Sequence, residues 1–164
     1  MASRPLPMVR LIGDAALRTK SAAADPLRDR IAAAELQACL RRFRSQHGFG
    51  RAMAAPQIGH SVRIVALDLG REWLAFNPTI TYRSEDTFTM YDDCMSFPDM
   101  LVRVRRHRHI GIAYDDESGA RVELPSLDQA TSELLQHEID HLNGITSFDR
   151  AEGPCAVVHR TAFN

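Results

Sequence analysis

The sequence predicts an α+β fold with antiparallel sheets. Three observations predict it. A helical pattern lies near each end of the chain. Runs rich in apolar and β-branched residues fill the middle. Those runs follow one another with no helix between them, which favours antiparallel pairing over strand–helix–strand crossovers.

Asp25-Pro26 reads as the start of the first helix, Asp as cap and Pro at the first position. Leu27, Ile31, Leu36, Leu40 and Phe43 follow near helical spacing, and Gly48 suits its end. Gly48 to Gly59 reads as a loop or irregular strand. Val62 to Leu67 reads as a strand; Trp73–Phe76 and Thr79–Tyr82 read as two more, divided by Asn77-Pro78. Tyr91 to Asp99, with its Asp, Cys, Ser and Pro, is expected to be irregular. Ile110–Tyr114 and Ala120–Leu124 read as a hairpin around Asp115–Gly119. Ser126 or Asp128 then caps a second long helix that reaches about Leu142, with Gly144 beyond it. In the ending, Ser147 to Asn164, the run Ala156-Val157-Val158 is a candidate strand.

The chain has 164 residues, 45% hydrophobic and 25% charged, and a formal net charge of −1. That is one domain, 1–164, large enough to bury a core without disulfides. No repeat, no low-complexity segment and no Pro/Gly/Ser-rich linker divides it. The near-zero charge provides no global field for nucleic acid or anionic lipid, so DNA and membranes are not expected partners. Cys39, Cys94 and Cys155 are widely spaced and odd in number, unlike a secreted disulfide framework. Met1 to Ile12 lacks a signal-peptide core, and the expected location is the cytoplasm. Arg103, Arg105, Arg106 and Arg108, with His107 and His109, form a basic run. Its expected place is a solvated edge strand, with RNA such as the ribosome surface as the alternative. Trp73 is expected in the core.

The strongest chemical signal is His137-Glu138-Ile139-Asp140-His141. On a helix, the two histidines share a face and can hold one metal ion, while Glu138 can act as general base on a water the metal activates. The bland alternative is a solvated polar helix face. A hydrolytic site of this kind needs a third ligand and an open position. A third histidine six residues on is absent, because that position is Ser147, which disfavours a metalloprotease. Glutamate is scarce downstream, Glu152 being the last. Among the cysteines, Cys94 lies in the polar, turn-prone run Tyr91-Asp92-Asp93-Cys94-Met95-Ser96-Phe97-Pro98. Cys39 suits a helix's apolar side, and Cys155 offers nothing specific. Gly50-Arg51-Ala52-Met53-Ala54-Ala55-Pro56-Gln57 has small residues that let backbone approach a ligand. The Gln57 amide could donate to an oxyanion.

Together these segments resemble the peptide deformylases. That family has three motifs in this order: G-x-G-x-A-A-x-Q, E-G-C-L-S and Q-H-E-x-D-H. Here they stand as Gly50–Gln57, Asp92–Ser96 and Gln136–His141. Val9 to Asp14 with Leu17-Arg18, and Val104 with Arg106, resemble further family segments, so the likeness spans nearly the whole chain. The resemblance implies antiparallel sheets wrapped around a central C-terminal helix that carries the histidine pair, plus one N-terminal helix. It implies one divalent transition metal, iron(II) in many members and otherwise zinc, nickel or cobalt, held by Cys94, His137 and His141. Glu138 would move the proton, and Gln57 with the Met95 backbone N–H would hold the formyl oxygen. The products would be formate and a free amine, from formylated peptides or nascent proteins, with the enzyme a monomer or dimer. One thiolate and two neutral imidazoles suit that chemistry, because the metal keeps a net positive charge and the thiolate favours transition metals.

The departures lie around this set. Arg51 stands where the family has an apolar residue, and Ala52 replaces the second glycine. Asp92, Asp93 and Met95 replace glutamate, glycine and leucine. Asp92 is one methylene shorter toward its expected partner Arg106. The family lines a methionine pocket with apolar residues one and two turns before the first histidine; here Ala130 and Glu133 stand there, with Leu134 alongside. Arg51 and Glu133 face each other across that pocket or point to solvent. Gly50, Arg51, Ala52, Asp92, Ala130, Glu133 and Leu134 are therefore the candidate substrate-binding residues. Two other readings stand beside the ordinary deformylase: a formamide hydrolase for a non-methionyl peptide or small molecule, and a non-catalytic metal- or peptide-binding protein.

Overall fold

Two α-helices and eight strands build the fold, described here from a computed structural model over residues 5–163. Residues 1–4 and 164 of the expected domain, with the first residues of the Met1–Ile12 segment, lie outside the described residues. In chain order the elements are α1 (Arg30–His47), β1 (Ala52–Ala54), β2 (Ile64–Asp68), β3 (Glu72–Arg83), β4 (Thr87–Asp93), β5 (Met100–His107), β6 (Ile110–Asp115), β7 (Arg121–Leu124), α2 (Gln129–Leu142) and β8 (Val157–His159). One sheet runs β1-β2-β3-β6-β7 and the other β4-β5-β8, and every named pairing is antiparallel. The α+β expectation is met.

The apolar run in β2 has no polar face because both its faces are covered. Ile64 and Ala66 pack with Leu36, Leu40 and Phe43 of α1. Val65 and Leu67, which point the other way along the pleat, pack with Leu135, Ile139 and Leu142 of α2. A third apolar group, Cys94, Phe97, Val102 and Val104, fills the second sheet's inner side. Helix α2 lies between, touching β1 and β2 on one side and β5 on the other. Every residue from Ser132 to Leu142 is buried.

A buried helix with polar residues must have partners for them. Gln136 accepts from the His107 N–H at 3.0 Å and donates to the His107 carbonyl at 2.8 Å. Ser132 Oγ accepts from the Ile110 N–H at 3.0 Å. These bonds fix α2 against β5 and β6 in both rotation and height. At its start, the Asp128 side chain accepts from the Thr131 N–H.

Four sequence expectations are corrected. The first helix begins at Arg30, because the Asp25 carboxylate accepts from the Leu27 and Arg28 N–H groups and closes a turn instead. Leu27 and Ile31 are accordingly 78% and 62% exposed. Trp73–Phe76 and Thr79–Tyr82 are one strand, β3. Asn77 sits at φ 51 with a register shift beside it. Asparagine tolerates that backbone, and its side chain exchanges hydrogen bonds of 2.8 Å with both backbone groups of Ala24. The segment expected to be irregular from Tyr91 begins as the end of β4, before the turn at Cys94. The basic run starts on β5 and passes its end at His107; β4 pairs along one side, and on the other, where β8 reaches only Met100–Val102, the 151–156 segment bonds Arg103 and bridges Val104, so the run is not a free edge throughout. Arg106 is 3% exposed. Arg103 and Arg105 bond the Glu152 carbonyl and carboxylate, and Arg108 bonds Asp86. Cys39 is in the core, as expected; Trp73, also expected there, is only partly buried and packs against the core beside Tyr114. No helix among the described residues is long and apolar enough to cross a membrane.

Candidate active site

Helix α2 places His137 and His141 on one face, four residues apart. Strand β4 ends at Asp93 and delivers Cys94 into a turn, where the Phe97 N–H bonds the Cys94 carbonyl at 3.1 Å. The three side chains converge. His141 Nε2 is 3.0 Å from His137 Nε2 and 3.3 Å from Cys94 Sγ. All three are buried, with ligand atoms within 4.8 Å of one another. Two imidazole nitrogens facing each other and a sulfur are poorly satisfied by a shared proton and well satisfied by one cation. A thiolate with two imidazoles fits a transition metal and not magnesium or calcium.

A carboxylate orients this cluster from behind. Asp92 Oδ2 accepts from His137 Nδ1 at 2.9 Å, Arg106 at 2.7 Å and Ser147 Oγ at 3.0 Å. The shorter Asp92 thus keeps its arginine. Arg106 also bonds Asp140 at 2.6 Å, and Asp140 takes two bonds from Arg150. Burial opposes the Asp92 charge, but His137 and Arg106 overcome it and hold the carboxyl well below its usual range. Burial likewise opposes an imidazolium at His137, and Asp92 and Cys94 outweigh it to push that pKa up. His141 is pushed down, by burial and then by the charge of His137.

Glu138 is buried, and its Oε2 has no hydrogen-bond partner among the described residues; neither has His141 Nδ1. Burial raises the Glu138 pKa to about 7, against the attraction of His137 and with the repulsion of Asp92 and Glu133. Gln57 is held by the Ala54 N–H at its Oε1, and its Nε2 donates to Cys94 Sγ at 3.3 Å and Ser96 Oγ at 3.2 Å. Met95 follows Cys94, and its side chain lies over Gly50. A Cβ built on Gly50, at φ 108, would meet the Met95 methyl at 2.4 Å. Glycine there makes room for methionine.

A cleft of about 340 Å³ opens onto these groups. Gly50, Arg51, Ala52, Glu133 and Leu134 line it beside Gln57, Asp92, Cys94, Met95, His137 and Glu138. Arg51 and Glu133 do face each other: Arg51 Nη2 bonds Glu133 Oε1, and Arg51 Nη1 reaches the Ala130 carbonyl at 3.3 Å. Ala130 is itself exposed and enters the site through that carbonyl alone. Burial raises the Glu133 pKa, against the pull of Arg51. Asp93 is drawn to the rim by Arg160 at 3.1 Å, and that guanidinium lies 4.4 Å over the Phe49 ring. Sequence reasoning missed Ser147, Ser96, Asp140 and Phe49. Asp140 stood inside the third motif, whereas nothing local marks a serine that bonds across 55 positions.

Residues 7–156 match the family described as polypeptide deformylase. The chain belongs to that family. It is 33% identical over 141 residues to the peptide deformylase of Pseudothermotoga lettingae, covering 86% of this chain and 80% of that one. The crystal structure of peptide deformylase from Thermotoga maritima superposes with a TM-score of 0.80 at 28% identity, over 92% of this chain and all of the other. The Synechococcus elongatus enzyme in complex with actinonin superposes with a TM-score of 0.80 at 27% identity, over 93% and 82%. The protein is thus a deformylase-type, metal-dependent hydrolase, and antiparallel sheets around a central histidine-bearing helix are the family's fold.

Proposed function

We propose that the protein, as one catalytic domain over 1–164, removes the formyl group from the N-terminal amine of peptides and releases formate. The observation that carries this reading is the convergence of Cys94, His137 and His141 beside Glu138, whose Oε2 has no hydrogen-bond partner among the described residues, at the floor of an open cleft. Cys94, His137 and His141 would hold one divalent transition metal, iron(II) in the cell, with zinc, nickel or cobalt able to replace it. A metal so held supplies Lewis acidity and lowers the pKa of water. Glu138 takes a proton from the attacking water and gives it to the leaving amine. The Gln57 amide and the Met95 backbone N–H stabilise negative charge on the formyl oxygen. Asp92 fixes the His137 ring from Nδ1, which leaves Nε2 toward Cys94 and His141. The cytoplasm is the proposed location.

A second reading is favoured by one observation, the Arg51–Glu133 ion pair in the cleft. It favours formylated substrates whose first side chain is not methionine. Formate release from a panel of formyl-peptides, by iron-loaded protein prepared without oxygen, tests the main reading. Release that depends on Glu138 supports it. Metal-loaded protein that releases no formate from any peptide overturns it in favour of a binding protein.

A further inference from the structure

We propose that the Arg51–Glu133 pair is a subsite for a carboxamide, so that the preferred formyl-peptides begin with glutamine or asparagine. This rests on the deformylase reading above and adds the substrate class.

The position of the pair sets the argument. Glu133 lies one turn before His137 on α2, and Arg51 immediately precedes β1. Both line the cleft that reaches Cys94 and Glu138. A substrate whose formyl carbon is beside Glu138 must lay its nearest side chain along these walls. The side chain of Glu133 is 11% exposed and that of Arg51 is 44% exposed, so the pair is covered on the protein side and open toward the cleft. The hydrogen bonds of Glu133 to the described residues run through Oε1, and Arg51 spends one donor there and one on the Ala130 carbonyl. A guanidinium has further N–H donors, and a carboxylate has a second oxygen.

The chemistry of the pair selects what can enter. A methionine side chain would cover both charges with hydrocarbon and return no hydrogen bond, which costs desolvation. A carboxylate would compete with Glu133 for Arg51 and place two negative charges together. An ammonium would compete with Arg51 for Glu133. A carboxamide does neither. Its oxygen accepts from Arg51, its NH₂ donates to Glu133, and the ion pair stays intact and neutral. Ala52 and Leu134, on the same walls, provide apolar contact for the methylenes that carry the amide.

The test uses formyl-Xaa-Ala-Ser peptides with Xaa as Gln, Asn, Met, Leu, Glu or Lys, read by formate release. Binding of the matching unformylated peptides is measured by calorimetry. The expected result is kcat/KM about tenfold higher for Gln and Asn than for Met, from the two added hydrogen bonds. The double variant R51L/E133L should reverse the order toward Met and Leu while keeping its metal. If that variant melts early, R51M/E133M removes both charges and their hydrogen-bonding groups with flexible side chains and should abolish the Gln preference. Wild-type preference for Met, Glu or Lys overturns the subsite and leaves the deformylase reading standing. Gln peptides that bind best without any formate release overturn the reaction and support the subsite. Neither release nor an order of binding overturns both.

Discussion

The floor and the wall of the cleft are built on the same helix, one turn apart, and follow different rules. At the floor, His137 is locked by Asp92, which is locked in turn by Arg106 and Ser147. Arg106 is anchored through Asp140 to Arg150. Each of these groups is buried or backed by a buried partner, so changing one leaves another uncompensated. At the wall, Arg51 and Glu133 hold mainly each other, and the guanidinium is half open to water. Such a pair can be exchanged for two apolar residues with little cost to the fold. The residues around the candidate metal site are therefore tied into the core, while the cleft wall rests on two side chains that can vary together.

The sharpest way to break this contrast is at the floor itself. Substituting Cys94, His137 or His141 by alanine should remove the bound metal, read as metal per chain by elemental analysis; full occupancy in any of the three excludes that residue as a ligand. Next in size, Glu138→Ala should keep fold and metal but lower turnover by about 10²–10⁴-fold. Near-normal turnover would assign the proton transfer to another group. Ser147→Ala, which removes one of three donors to Asp92 Oδ2, should weaken metal affinity by about tenfold, measured by chelator competition. Threonine at 147 should restore it, because its hydroxyl can donate the same bond. Unchanged affinity in the alanine variant would confine the orienting role to Asp92 and Arg106.

The smallest effect lies outside the cleft, at an exposed ion pair. Hydrogen bonding from Arg18 chiefly lowers the Asp149 pKa to about 2, from an ordinary value near 3.8. A carboxyl with a depressed folded pKa contributes stability above its unfolded pKa and loses it as pH falls toward the folded one. The wild type should therefore lose melting temperature more steeply between about pH 4 and pH 2 than Asp149→Asn. The pair is well exposed, which keeps the difference small. Equal slopes would show that Asp149 contributes nothing to acid sensitivity.

Much of the fold was legible in the residue pattern. The hairpin of β6 and β7, the second helix from Asp128 to Leu142 and the stop of the first at Gly48 follow from periodicity, caps and turn residues, all of which act over a few positions. What sequence misplaced is what distant partners decide. Asn77-Pro78 reads as a break, yet Asn77 bonds Ala24 and the strand runs on. The arginine run reads as an edge, yet the 151–156 segment returns from 49 positions away at Glu152 to bond Arg103 and bridge Val104. Arg106 then turns inward to Asp92 and Asp140.

The candidate site divides in the same way. By itself, the sequence determined which groups could do the chemistry: the histidine pair at helical spacing, Glu138 between them, Cys94 in a polar turn and Gln57 after a run of small residues. Those follow from residue type and short-range spacing. Only the tertiary structure decided that Arg51 and Glu133 meet across the cleft and that Asp93 is drawn to the rim by Arg160. It alone decided that Ser147 completes the hold on Asp92. The physical reason is range. Spacing along a helix or strand sets which residues share a face, but whether a charge faces solvent, a partner or a substrate depends on what packing brings opposite it.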